Sequence, residues 1–141
     1  MKKIVNTALI YAIIAMLCGI LYREGSRFLE LTDSTSWSLT HTHFFILGMF
    51  FFLIVLVLEK EFHITTDKKF NIFYIIYNLG LIITGIMLWM RGIIDFVGNV
   101  SSTYDKMISG VSGIGHILLG VGIILFFVIL NNKIKEKKKT A

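Results

Sequence analysis

Ser38–Leu58 reads SLTHTHFFILGMFFFLIVLVL: two histidines, then fifteen residues with no charged or hydrogen-bonding side chain. With a few flanking residues, that run is long enough to cross a bilayer core, which takes roughly 20 residues for about 30 Å. Three more apolar segments surround it, over about 4–22, 70–90 and 107–130. Lipid offers no water to satisfy backbone groups, so segments of this kind must be helices. The expected fold is all-α and integral to the membrane: one domain over 1–141, a bundle of four transmembrane helices.

Composition agrees. Of 141 residues, 55% are hydrophobic and only 16% charged, with twelve Phe and no Pro; the mean hydropathy is +0.77. An ordinary soluble domain is excluded. Lys2 and Lys3 ahead of the first apolar run suggest a signal peptide, but no small-x-small cleavage site closes that run, so it reads as a retained helix. Cys18 is the lone cysteine, which leaves neither an internal disulfide nor a cysteine-based metal motif.

Charge sets the expected orientation. Lys2, Lys3, Lys60, Lys68, Lys69 and five lysines of the tail (Lys133, Lys135, Lys137, Lys138, Lys139) fall on one side, and Arg23, Arg27, Arg91 and Lys106 on the other. By the positive-inside rule both termini are cytoplasmic, in a multi-pass protein of the cytoplasmic membrane. The net charge of +5 then reflects topology and contact with the lipid bilayer, and nucleic acid is not an expected partner.

The helices are expected at about 4–31, 34–61, 69–97 and 105–131, with a basic cytoplasmic tail over 132–141. Thr32, Asp33 and Ser34 offer N-cap oxygens for the second, and Arg91 and Asp95, four apart, could neutralise each other on one face of the third. His43 then lies about nine residues into the second helix, and His116 about nine to twelve into the fourth. At 1.5 Å per residue both are roughly 13–18 Å below their helix tops, in the outer half of the membrane. Tyr22, Arg23, Glu24, Arg27, Arg91, Asp95, Ser109 and Ser112 gather on that side, whereas the inner half offers little beyond Asn78 and Thr84. Ionisable groups in a span are costly and mark a working site. His41 and His43 are about 200° apart on a helix and cannot face one point. Depth favours His43 as the inward one; Gly48, on the face of His41, favours His41.

Two facing imidazoles with few inward carboxylates suit a haem b iron held axially, with Arg23, Arg27 and Arg91 near the membrane surface for the propionates. Gly48, Gly113 and Gly120 would clear space for a porphyrin, and Phe44, Phe45 and Trp89 would pack on it. The same histidines suit a copper- or zinc-binding or transport protein, with His41 or Glu24 as a further ligand to His43 and His116. The alternative is a cofactor-free accessory subunit whose polar layer fixes helix register. His63, in EKEFHITTDKK, reads as a surface residue. Nothing resembles a nucleophile–base pair or a phosphate-cradling loop, so enzyme status stays open.

LYREGSRF, THTHFFILGMFFF and SGVSGIGHILLGVGIILF resemble an uncharacterised family, a domain of unknown function, of small four-helix bacterial membrane proteins found mostly in Gram-positive bacteria. That resemblance covers nearly the whole chain. His followed by Leu-Gly in an early helix, and a glycine-flanked His later, is also similar to helices of haem–copper oxidase subunit I, where transmembrane histidines ligate haem. This second resemblance implies haem at His116 and at His41 or His43. The chain lacks the Tyr–His pair and further histidines of a binuclear centre, so oxygen reduction is not implied. The leading expectation is bis-His haem near the extracytoplasmic face, serving electron transfer or redox or gas sensing, with a redox partner or quinol and a homodimer as candidate associations.

Overall fold

The computed structural model describes residues 1–28, 36–97 and 101–140. Within them the chain forms α1 (Lys2–Phe28), α2 (Trp37–His43), a π-helical segment (Phe44–Phe50), α3 (Phe51–Phe62), a 3₁₀ turn (Ile64–Thr66), α4 (Phe70–Val97) and α5 (Ser102–Thr140). The segments from Trp37 to Phe62 are continuous and make one long helix, so four helices are long and apolar enough to cross a membrane. Only 22–33% of the most apolar stretch of each is buried within the chain. Leu9, Ile20, Ile54, Val57, Ile75 and Ile124 point outward instead, as suits a molecule whose solvent is hydrocarbon.

Each helix buries a narrow stripe. In α1 it is Ile4, Ala8, Tyr11, Ala15 and Cys18, spaced three or four apart so that they share one face. Around Phe51 the second helix meets α4 and α5 in a knot of rings, with Phe51 5.3 Å from Phe126 and 4.3 Å from Tyr77. Glycines set the α4–α5 seam. A Cβ on Gly80 would lie 2.7 Å from the Leu119 amide, and one on Gly115 2.7 Å from Thr84 Oγ1.

Hydrogen bonds tie α1 to α4: Thr7 Oγ1 to Tyr74 Oη at 2.5 Å, Tyr11 Oη donating to Asn78 Oδ1 at 2.6 Å, and Trp89 Nε1 donating to Cys18 Sγ at 3.3 Å. The first two correct the expectation of a nearly apolar inner half. Asn78 was counted there, but Thr7, Tyr11 and Tyr74 were not.

His63 ends α3 in the left-handed region (φ 50°), and the buried Glu59 carboxylate accepts from the Thr65 amide at 2.8 Å and from its hydroxyl. Lys137 pairs with Glu61 and Lys3 sits 3.7 Å over the Tyr74 ring, so both termini and the 63–69 connection share one end of the bundle. Thr32, Asp33 and Ser34 lie outside the described residues, and the described helix begins after Ser36, which makes no side-chain cap. The basic tail is not a separate segment, because α5 continues through it to Thr140.

The helices do not close into a square. α1 packs on the second helix, the second helix on α4, and α4 on α5. Among the described residues, no Cα of α1, and none of Trp37–Phe50, comes within 8 Å of α5. The second helix and α5 touch near Phe51 and part toward the end away from the termini, leaving a notch between them with α4 as its floor.

Candidate functional site

Two contacts on α4 fix the level and direction of the histidines. A Cβ on Gly85 would lie 2.3 Å from the Phe44 ring, and the neighbouring Thr84 abuts Gly115. His43 precedes Phe44 and His116 follows Gly115, so both stand at the depth of one pair of adjacent α4 residues. Each is turned about 100° off its contact with α4. The second helix and α5 run parallel to one another and antiparallel to α4. The two turns are therefore opposite in sense, and both place the histidine on one side of α4, the side on which the second helix and α5 part. His43 is half-buried there and His116 exposed.

Each imidazole is held the same way. His43 Nδ1 lies 2.8 Å from Leu39 O and His116 Nδ1 2.8 Å from Ser112 O, both one helical turn earlier. A carbonyl oxygen can only accept, so Nδ1 carries the proton and a neutral ring keeps its lone pair on Nε2. A metal-ligating histidine is commonly oriented in this fashion, by a hydrogen bond from its other nitrogen.

The walls differ. On α5, Gly113 and Gly120 stand three before and four after His116, and a Cβ on either would meet nothing within 4 Å. On the second helix, Thr42, His43, Ile46 and Leu47 line an open groove of about 210 Å³. Toward the open end, Leu88 and Arg91 of α4 and Ser109 and Ser112 of α5 help line a cavity of about 240 Å³. Arg91 is bonded to Asp105 of α5. Asp95, the expected partner of Arg91, instead accepts from the Ser36 amide and hydroxyl at 3.1 and 2.7 Å.

Other residues singled out in the sequence sit elsewhere. His41 turns toward α1, stacked on Tyr22 with centroids 6.4 Å apart and 3.9 Å from a Cβ on Gly19. Its Nδ1 is buried with no hydrogen-bond partner. Arg23 and Arg27 pair with Glu24 at the end of α1, at 3.8 and 4.0 Å, on the far side of the second helix from the notch. Among the described residues, no three His, Cys, Asp or Glu side chains gather to hold a metal ion. Gly48 is closed off, since a Cβ there would lie 2.6 Å from Tyr11. Phe44 is buried against Tyr11 and Trp89 is packed on Trp37, so both serve the core. Sequence reasoning missed the π-helical segment beginning one residue after His43, and Trp37, whose ring fills the space over Gly92 and whose Nε1 donates to Trp89 O at 3.0 Å.

Residues 1–133 match the family described as a protein of unknown function (DUF2871), and the chain belongs to that family. No curated protein matches it. No solved structure matches it either.

Proposed function

We propose that this family member is a haem b protein of the cytoplasmic membrane, with both termini cytoplasmic and His43 and His116 as the two axial ligands, in electron transfer or in redox or gas sensing. The observation that supports it is the matched pair of imidazoles: similar depth, the same side of α4 by helix phase, and each Nδ1–H held by a carbonyl one turn back on its own helix. The open faces at Gly113 and Gly120 fit a flat ligand beside His116. Arg91, at the mouth, fits a propionate, with Asp105 holding the guanidinium in place. Bound there, haem b would supply one-electron chemistry. Two histidine ligands would leave the iron no open position, which favours electron transfer over substrate chemistry. A copper or zinc ion is less well served, because the third ligands on offer, His41 and Glu24, engage α1 instead.

The test is haem content per protein after expression with haem supplied. His43→Ala and His116→Ala should each lose the cofactor and remain in the membrane, while His41→Ala should keep it. Loss confined to His41→Ala, or no dependence on any of the three, would overturn the assignment.

A further inference from the structure

We infer that Tyr77 is a positioning residue for His43, acting through the π-helical segment between them; this rests on the haem reading above. The segment is where the ladder of the second helix skips. In an α-helix the Phe51 amide would bond Leu47 O, four residues back. Here it skips Leu47 O and is directed to Gly48 O, three back, and to Ile46 O, five back, the latter as in a π-helix. Leu47 O is left without that donor, and the Tyr77 hydroxyl of α4 supplies one at 2.8 Å. The Tyr77 ring stacks on Phe51 itself, with centroids 4.3 Å apart and planes 19° from parallel. One fully buried side chain thus satisfies the bypassed carbonyl and packs on the residue whose amide bypassed it.

The consequence reaches His43. A π turn takes in one residue more than an α turn, so the two halves of the second helix are offset relative to an unbroken α-helix. Below the segment the helix is locked by Phe52, Val55 and Glu59. Above it, the phase that buries Trp37 against α4 and turns His43 into the notch holds only while the extra residue is absorbed. Should the ladder re-close as α-helix on the locked lower half, α2 would rotate by about 100° and His43 would leave the notch. Without the Tyr77 hydroxyl, Leu47 O loses this donor where no water can replace it, and the backbone is drawn toward that re-closure. π segments are frequent at functional sites, and this one begins immediately after the candidate ligand.

The experiment is a double-mutant cycle on the full-length, haem-loaded protein, reading haem affinity and the low-spin electron paramagnetic resonance of the ferric form, which reports how the axial imidazoles are oriented. Tyr77→Phe keeps the ring and removes the hydroxyl. It should weaken haem binding about tenfold or more, as loss of an outer-shell partner does, and change the resonance. Deleting the half-buried Met49 removes the extra residue, so the ladder can close with both halves in place. On that background wild-type affinity should return, and Tyr77→Phe should have no further effect. An unchanged affinity and resonance in Tyr77→Phe would overturn the inference, as would an equal loss in the deletion background. Should Tyr77→Phe alone fail to fold, the comparison within the deletion background still decides. A wild-type protein that takes up no haem overturns the underlying reading instead.

Discussion

His43 and His116 share a device that depends on one residue each. The carbonyl one turn back accepts from Nδ1, which fixes the tautomer and the ring without a partner on another helix. That His116 stands at the level of His43 was legible from the sequence, by counting residues from the helix starts. The choice between His41 and His43 was not, because it depends on helix phase, and that phase is set by where Trp37 and Phe44 find glycines on α4. The space at Gly48, read in the sequence as favouring His41, is taken by Tyr11. Two further glycines make a contrasting pair. Gly113→Leu adds a side chain where a Cβ meets nothing, so stability should change by no more than about 0.5 kcal/mol while haem uptake falls. Gly115→Leu must displace the Thr84 backbone, 3.0 Å from the new Cβ, and should destabilise by about 1–3 kcal/mol or more. Thermal melts in detergent, run beside haem titrations, separate the two effects. Equal haem uptake by Gly113→Leu and wild type would mean that face of α5 is not part of the site.

At the scale of elements, the four spans were legible because unbroken apolar length is a strong signal. Their interruptions and ends were not. No residue between Phe44 and Phe50 is a helix breaker in the manner of proline. What the segment does have is a tertiary partner: Tyr77, opposite on α4, donates to Leu47 O within it. Nor does the polar tail end α5. Lys133 pairs with Glu136 one turn on, at 2.7 Å, and Lys137 reaches Glu61, so that end of α5 is held by a neighbouring helix. The pairing of Arg91 taught the same lesson. Spacing of four offered Asp95 within its own helix, but Asp105 lies across the seam, and Asp95 is engaged by Ser36 at the start of the second helix.

For the whole molecule, the decisive feature is an incomplete bundle. α1 and α5 lie on opposite sides of the pair formed by the second helix and α4, and the notch is the quadrant left between the second helix and α5. Helix count and hydropathy carry no information about that parting. The proposed orientation puts the lysine-rich end that holds the termini in the cytoplasm. Cysteine placed at Lys139 should therefore resist a membrane-impermeant maleimide in intact cells, while cysteine at Ser102 should react. Cys18 is buried and gives a low background. Labelling at position 139 and not at 102 would invert the orientation. The claim that joins all three scales is that the two imidazoles hold one haem, and it is tested most directly by the absorption spectrum of the wild-type protein purified after expression with haem. A sharp Soret band, with split α and β bands on dithionite reduction, is the predicted result; a colourless protein would contradict the account.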